Sequence, residues 1–370
     1  MGTDLNYFLH FSIFIKHSEP VYTCFYKFIT QSIIVPCSAE LNTKKRMTDF
    51  RTKVEIPPED VKIDHNTGIL LMGSCFADNI GARLKSLKFR VNHNPFGVLY
   101  NPVSVQLDLE ILTDRRLFTE SDLYRFNNRW ISFNHYTLFA DNDKTKCLQK
   151  INDSIISASE LLEEAGFLFI TFGTSWVYEF LKTGQVVANC HKIPAQEFRR
   201  FLLSTEDIVG SWDVLMEKLK TYNPDIKIIF TVSPIRHWKD GATGNQVSKS
   251  ILLVAIHQLV SRHQNAGYFP SYEIFMDELR DYRFYDKDMI HPSEAGQDYV
   301  WEKFTGTYVS VESMRIIKQI EEIVKARNHR PVNRDSDEYD QFRKKIRGKI
   351  DKLLQEHPTL DFSEELAYFS

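Results

Sequence analysis

The sequence lacks a pattern of paired cysteines. Its five cysteines are Cys24, Cys37, Cys75, Cys147 and Cys190, an odd number without a CxxC spacing among them. A disulfide framework or a thiolate zinc site is therefore not expected. Scattered single cysteines are typical of a reducing compartment, so we expect a cytoplasmic protein.

The chain also lacks a strong net charge and a long apolar run near its start. A formal net charge of −3 gives no general field to attract a polyanion, so nucleic acid is not an expected partner. The apolar stretch at residues 8–15 ends at Lys16 and His17, too early for a membrane span. No Lys or Arg precedes it, as a secretory signal would require, so no membrane association is expected either.

Residues 1–46 lack the periodicity of a helix or a strand. We expect a poorly specified N-terminal extension here, with Met47 as the natural start of the protein.

Metal and nucleotide motifs are missing as well. The strings HExxH, GxxxxGK[ST] and GxGxxG do not occur, and neither does the GxSxG elbow of α/β-hydrolases. The sequence therefore indicates no zinc, nucleotide or other cofactor.

From Ile69 onward, short apolar runs alternate with amphipathic stretches, which is typical of βαβ units. This pattern predicts a three-layer α/β/α domain with a mainly parallel, flavodoxin-like sheet, over residues 47–310. Strands are predicted at 69–72, 89–95, 167–172, 226–232 and 272–277. Helices are predicted at about 76–87, 104–112, 149–165, 245–264 and 294–304, and over the stretch that carries Ile208, Val214, Leu215 and Leu219.

The tail, residues 311–370, has a different pattern. Residues 311–327 and 337–356 each show helical periodicity, and Asn328 and Pro331 punctuate the segment between them. We predict a C-terminal helical hairpin, which either packs on the domain or mediates self-association.

Ser74 directly follows the first predicted strand and precedes a helix. A helix N-terminus favours negative charge, which suits a hydroxyl whose attack generates an oxyanion. A serine before a helix is more often only an N-cap, and Ser74 taken alone favours that interpretation.

Asp288 and His291 lie three residues apart between the last predicted strand and the last predicted helix of the domain. At this spacing the carboxylate can hold one ring nitrogen, which leaves the other to accept a proton from a serine. A loop pair that merely caps the helix after Pro292 is an equal alternative.

Four strings carry a resemblance to a known family. LLMGSCFADNIG (70–81) resembles the signature of the GSCFA family, within the SGNH (GDSL-like) hydrolase superfamily. VANCHKIP (187–194), VSPIRHWKDG (232–241) and DMIHPSEAG (288–296) also resemble segments of that family. The resemblance extends from about Phe50 to the C-terminus.

The resemblance implies a role for each matching residue. Ser74 would be the nucleophile and would also give one oxyanion donor, its own backbone N–H. Gly97 would supply a second N–H donor. His291 would be the general base and Asp288 its orienting partner.

One segment departs from the superfamily pattern. Where a GxND segment with an oxyanion asparagine is expected, this chain has Gly173-Thr174-Ser175-Trp176. Either the Ser175 hydroxyl or the Asn189 side chain would take the place of that asparagine. A neutral amide donates without needing its proton elsewhere, which favours Asn189, although a turn role for Asn189 is almost equally compatible with the sequence.

Other side chains compete for these roles. His191 and His237 are alternative bases, and Cys75 and Cys190 are alternative nucleophiles. Arg236, His237 and Lys239 form a cationic loop after the fourth predicted strand, which would bind an anionic substrate at the pocket rim or else be a solvated loop.

Together, the Ser74 and Asp288–His291 motifs and the family resemblance predict a serine hydrolase acting on an ester. The resemblance alone implies the kind of ester, an O-acyl group such as acetyl on a carbohydrate or glycan. The hydrolase's partner would be a small-molecule or glycan ester, and it would need no cofactor. Two alternatives use the same fold: an inactive binding or scaffold protein, and an O-acyltransferase.

Overall fold

A computed structural model describes residues 52–328 and 336–370, all of which fall within one compact unit of the chain. The expected N-terminal extension and the predictions made on Cys24, Cys37, Met47 and Pro331 lie outside the described residues.

Ten strands and ten α-helices build the described part of the chain. The strands are β1 Gly68–Gly73, β2 Val91–His93, β3 Tyr124–Phe126, β4 Arg129–Ile131, β5 Ala165–Phe172, β6 Trp176–Phe180, β7 Gln185–Val187, β8 Phe198–Leu202, β9 Lys227–Val232 and β10 Ala266–Tyr268. The helices are α1 Cys75–Ser86, α2 Pro102–Thr113, α3 Lys144–Glu164, α4 Thr205–Tyr222, α5 Gly241–Arg262, α6 Ser271–Glu273, α7 Glu294–Tyr308, α8 Val311–Asn328, α9 Asp337–Glu356 and α10 Ser363–Tyr368.

The central sheet has five parallel strands in the order β2-β1-β5-β9-β10. The chain moves outward in one direction from β1 and then in the other, which is the flavodoxin-like order. The carboxyl ends of its strands therefore meet at one edge, where such sheets bind ligands. The predicted α/β/α fold is confirmed.

Alternate residues of each central strand face two different cores. Leu70, Leu168 and Phe230 pack with apolar residues of α2, α3, α4 and α5. Ile69 and Phe167 pack on the opposite face with residues of α1, α7, α8 and α9. Burial on both faces explains why β1 and β5 are almost continuously apolar in sequence.

Two small antiparallel sheets stand beside the central one. One pairs β3 with β4, and the other has the order β7-β6-β8. A separate small core, which includes Ile131, Phe180 and Phe198, lies between these strands. Their short length left no clear period in the sequence, and they were not predicted.

The predicted strand at 272–277 is wrong. Ser271–Glu273 is a single helical turn and Ile274–Glu278 a π-helical turn. A short apolar run of this kind does not distinguish a strand from a buried helical turn, and Ile274 and Phe275 are buried in the core on the α1 side. The fifth strand is β10 instead, three residues long with Gly267 at its centre.

The predicted tail helices are present as α8 and α9, and α10 follows them. Ile317, Ile320, Ile350 and Leu353 from the two long helices are buried in the core on the α1 side. The apolar stripe of each helix is thus covered by the protein's own domain.

None of the helices in the described ranges combines the length and the apolar character that crossing a bilayer requires.

Candidate active site

The turn between β1 and α1 is built around Gly73. Its φ of +130° is a conformation that side-chain-bearing residues rarely adopt. A Cβ here would lie 2.1 Å from the Thr171 carbonyl oxygen of the neighbouring strand. Only glycine permits this close approach, which carries the chain sharply from the strand end into Ser74.

Ser74 is the N-cap of α1 and is 2% exposed. Its Oγ accepts a hydrogen bond from the Phe76 N–H at 3.3 Å, so the capping interpretation holds in this structure. Its own N–H donates to the Thr171 carbonyl at 3.2 Å. The expectation that this N–H serves as a free oxyanion donor is therefore corrected, because it already has an acceptor in β5.

Asn94 supports this turn and was missed in the sequence analysis. Its Oδ1 accepts from the Gly73 N–H at 2.9 Å, and its Nδ2 donates to Asp78 Oδ1 at 3.3 Å. The residue is buried and has a positive φ of 46°, which asparagine tolerates better than most residues. Its place as the first residue of the NPFG string (94–97), directly before a proline, was the only sequence signal for this role.

Asp288 and His291 form a tight pair. The His291 Nδ1 lies 2.5 Å from Asp288 Oδ2, and Asp288 Oδ1 accepts from the N–H groups of His291 and Ile290, both at 2.9 Å. The His291 N–H and ring, followed by the Ile290 N–H, lower the pKa of Asp288 to about 2. The carboxylate is thus charged at neutral pH, which favours a proton on Nδ1 and leaves Nε2 as an acceptor.

Ser74 and His291 line the same cavity, whose volume is about 540 Å³. Within residues 52–328 and 336–370, no hydrogen bond joins the two side chains. Catalytic hydrogen bonds are often long without substrate, so a shared cavity is the relevant geometric condition.

Gly97 does not line this cavity, and its N–H donates to the Asn94 carbonyl at 2.7 Å. Its φ is +84°, and a Cβ would lie 2.2 Å from Tyr136 Cβ. Gly97 therefore allows the loop to pack tightly, and the expectation that it donates to an oxyanion is corrected. The adjacent residue, Val98, does line the cavity.

Ser175 is fully buried and faces α5 instead of the cavity. Its N–H donates to Ser248 Oγ at 2.8 Å and its Oγ lies 3.0 Å from the same atom. The expectation that Ser175 completes an oxyanion hole is corrected for this reason. Its two neighbours, Thr174 and Trp176, line the cavity, although Thr174 Oγ1 also lies 3.0 Å from Ser248 Oγ.

Asn189 lines the cavity and also serves as a turn residue. Its Oδ1 accepts from the His191 N–H at 2.8 Å, while its Nδ2 lies 3.2 Å from Thr137 Oγ1. The hydrogen bond from the His191 N–H fixes the orientation of the Asn189 amide. Its Nδ2 can then give up the contact with Thr137 and donate to a ligand instead.

The competing bases differ in position. His191 does not line the cavity; its Nε2 lies 2.8 Å from the Ser132 carbonyl oxygen, and burial lowers its pKa. His237 does line it, packed edge-on against Tyr100, and burial followed by the charge of Lys249 lowers its pKa to about 4. His237 is therefore a neutral part of the wall at physiological pH.

The competing thiols belong to the same wall. Cys75 Sγ lies 3.8 Å from the Tyr100 hydroxyl, and burial raises the pKa of Cys190 to about 11. The Cys190 thiol, held protonated in this way, is a poor nucleophile. Cys75, Cys147 and Cys190 are all unpaired.

Lys249 of α5 is a second residue missed in the sequence analysis. Its ammonium is fully buried and donates to the carbonyl oxygens of Gly173 at 2.7 Å and Ser233 at 2.6 Å. Burial, and then the charge of Arg236, lower its pKa to about 7. The signal was a lysine in register with Leu252 and Ile256 on the apolar face of a helix.

The described residues contain no group of three or more His, Cys, Asp or Glu side chains arranged to hold a metal ion. The cavity's chemistry is set by a serine, an Asp–His pair, aromatic rings and cations.

Comparison with solved structures finds similarity to a carbohydrate esterase family 3 from Talaromyces cellulolyticus. The two chains are 8% identical with a TM-score of 0.30, over 69% of this chain and 99% of the other. None of the curated proteins compared with the chain matches it.

Two family models match in sequence. That of the GSCFA family matches residues 68–304, and that of the GSCFA domain protein, C-terminal domain, matches residues 320–370. The first match includes the β1–α1 turn and the Asp288–His291 pair. The chain belongs to the GSCFA family.

Proposed function

We propose that this protein is an SGNH-type serine hydrolase that cleaves an ester, in particular an O-acyl group on a carbohydrate or glycan. The observation that carries the proposal is that Ser74 and His291 line one cavity while Asp288 holds the far side of the His291 ring. This is the arrangement of a nucleophile, a base and an orienting carboxylate.

The first half-reaction would form an acyl-enzyme. Ser74 Oγ attacks the ester carbonyl carbon while His291 Nε2 accepts the hydroxyl proton. The carbon–oxygen bond to the alcohol then breaks, and His291 returns the proton to the departing alkoxide. Asp288 stays ionised throughout and stabilises the imidazolium.

The developing oxyanion needs donors that are not already engaged. Cys75 and Val98 both line the cavity, and their backbone N–H groups have no acceptor among the residues that the structure describes. Cys75 is the first residue of α1, where the helix dipole adds to the attraction. These two N–H groups, with the Asn189 amide as a third donor, are the oxyanion site we propose in place of Gly97.

The second half-reaction would use water. His291 Nε2 takes a proton from a water molecule, whose oxygen attacks the acyl carbon, and the Ser74–acyl bond breaks with return of the proton to Ser74. The products are a carboxylic acid and the alcohol already released. The cavity's volume and its ring-bearing lining residues suit a sugar-sized substrate. Those residues are Tyr100, Tyr136, Trp176, Tyr178 and Trp238.

Labelling with a neutral fluorophosphonate probe tests the proposal. We expect the wild-type protein to be labelled, and Ser74→Ala to lose the label entirely. His291→Ala should slow labelling by at least ~10³-fold, because the hydroxyl then has no base. Peptide mass spectrometry identifies the labelled residue.

Ser204→Ala is the matched control, since Ser204 is also an N-cap serine but belongs to α4. It should label at the wild-type rate. Equal labelling of wild type and Ser74→Ala would remove Ser74 from the chemistry. Labelling at Ser74 followed by product analysis with added sugar acceptors distinguishes hydrolysis from acyl transfer.

A further inference from the structure

The cavity carries more positive than negative charge. Among the described residues, its lining includes three cationic side chains, those of Arg200, Arg236 and Lys239, and one carboxylate, that of Asp240. Asp240 already forms an ion pair with Arg200. The other two cations therefore face the cavity without a carboxylate of their own.

Of the two cations, Arg236 is the stronger candidate for binding an anion because its side chain is half-buried, whereas Lys239 is exposed. Among the described residues, its guanidinium donates a hydrogen bond to Met276 Sδ at 3.2 Å, and a thioether sulfur is a weak acceptor. Carboxylates partner arginines elsewhere in the fold, for example Asp298 with Arg83. A guanidinium held in a cavity with most of its donors free is suited to bind a planar oxyanion.

Lys249 adds to the positive field in its protonated form, which is about half of the population at neutral pH because its pKa is lowered to about 7. It lies beneath the cavity and, like Arg236, has no carboxylate partner in the part of the chain that the structure describes. Its ammonium is hydrogen-bonded only to two carbonyl oxygens, those of Gly173 and Ser233. Two cations near each other without an acid make an anionic ligand favourable at this wall.

Lys239 extends the field to the rim. Its Nζ donates to the Tyr178 hydroxyl at 2.8 Å and lies above the same ring. Trp238 beside it is 57% exposed. The rim thus offers an aromatic surface and a charge together.

We propose that the ester accepted at Ser74 carries a carboxylate, bound by Arg236 inside the cavity and attracted by Lys239 at the rim. This inference rests on the proposed hydrolase function and specifies its substrate class as the ester of an acidic carbohydrate. In the ester of an acidic carbohydrate, the carboxylate is part of the sugar. In a half-ester of a dicarboxylic acid, the carboxylate is part of the acyl group.

Two matched pairs of esters test it. One pair is the acetates of methyl glucuronoside and methyl glucoside, and the other is 4-nitrophenyl hemisuccinate and 4-nitrophenyl butyrate. At low ionic strength we expect kcat/KM to favour the anionic member of one pair by at least ~10-fold, with the preference falling as salt is added. The pair that shows it identifies which side of the ester carries the charge.

Arg236→Met should bring that preference close to one, and Arg236→Lys should retain part of it because the charge remains without the fork. Arg125→Met is the control, since Arg125 is exposed and lies over Trp130, outside the cavity; it should keep the wild-type preference. A wild-type enzyme that prefers the anionic member of neither pair, or an Arg236→Met variant with an undiminished preference, would overturn the inference.

Binding separates this inference from the proposed function. Calorimetry with methyl glucuronoside and methyl glucoside requires no catalysis. Failure of Ser74 labelling would overturn the hydrolase proposal, whereas binding of the glucuronoside by wild type and not by Arg236→Met would still support an acidic-sugar site. Equal binding of both glycosides would contradict a carboxylate on the sugar and leave only the half-ester, which the 4-nitrophenyl pair supports or overturns.

Discussion

Asn94 connects two parts of the site that are distant in sequence. It accepts from the backbone N–H of Gly73, directly before Ser74, and donates to Asp78 on α1. Together with the Gly73 backbone and the Ser74 N–H bond to Thr171, this side chain holds the β1–α1 turn.

Asn94→Ala should therefore destabilise the protein and slow the chemistry of Ser74. The buried Gly73 N–H would lose its acceptor, at a cost of about 1–3 kcal/mol, and alanine is strained at positive φ. Urea unfolding measures the first effect and fluorophosphonate labelling the second.

The control for this variant is Asn92→Ala on β2, the strand that Asn94 directly follows. The Asn92 side chain makes no hydrogen bond within residues 52–328 and 336–370, so it should change the free energy of unfolding by less than ~0.5 kcal/mol. Similar losses in the two variants would show that Asn94 does not hold the turn.

At this scale the sequence indicated the side chains with distinctive chemistry and missed those with supporting roles. Ser74 lies between a predicted strand and a predicted helix, His291 lies just before a predicted helix, and the topology brings both to one cavity. Gly97 and Ser175 were assigned by analogy, but the direction of a single N–H or hydroxyl depends on local backbone geometry. No residue pattern records that geometry.

Among the elements, α5 has an unusual function because Lys249 ties it to two strands of the sheet. The ammonium bridges the carbonyls of Gly173, just after β5, and Ser233, just after β9. The loops that line the cavity start at these two points. The helix thus sets the spacing of the cavity walls.

Lys249 should make stability depend on pH. Burial, with Arg236 adding to it, lowers its pKa to about 7 from the ordinary value of 10.5. Between these values the unfolded chain binds more protons than the folded one, so stability rises with pH and the gain is lost as pH falls towards 7. The wild type should therefore gain on the order of 3 kcal/mol relative to Lys249→Met between pH 7 and 10.

Urea unfolding of both proteins at each pH measures the difference in their free energies of unfolding. Other titrating groups contribute equally to both proteins, so their effects cancel in this difference. Lys220→Met, at an exposed position of α4, should follow the wild-type curve. Parallel curves for wild type and Lys249→Met would mean that Lys249 keeps an ordinary pKa.

Prediction of the elements depended on their length. Helices of 12 residues or more and the strands buried on both faces carry enough residues for a clear period, and their positions were predicted within a few residues. Strands of three residues, such as β3, β7 and β10, are too short to show a period in the sequence. The apolar turn after Ser271 was mistaken for a strand because both bury the same kinds of side chain.

On the scale of the whole molecule, α10 connects the end of the chain to its first βα unit. Glu365 is 2% exposed and accepts from Lys88 Nζ at 2.8 Å and from Arg327 at 3.2 Å. Lys88 lies just after α1 and also over the Phe362 ring.

Glu365→Ala should cost about 3 kcal/mol of unfolding free energy, because it leaves Lys88 largely buried without its partner. Glu364→Ala removes a carboxylate that is 71% exposed and pairs with the same arginine. It should cost less than ~1 kcal/mol. Equal losses would mean that α10 is not anchored through Glu365.

The tail helices bear on assembly as well. Apart from Val311, which is 74% exposed, the large apolar residues of α8 and α9 are buried or partly buried within the protein, so self-association through these helices would have to use mainly their charged outer faces. It stays a prediction, and sedimentation at several salt concentrations measures it.

The core on the α1 side of the sheet is assembled from the two ends of the compact unit. Ile69 and Leu71 are synthesised well before Val300, Ile350 and Phe369, which lie in the same core. Until those later residues emerge, α1 is the main cover of this face of the nascent sheet. We expect chains that terminate before α7 to present the uncovered part of the face to one another, and so to aggregate more readily than chains that include α7, α8 and α9.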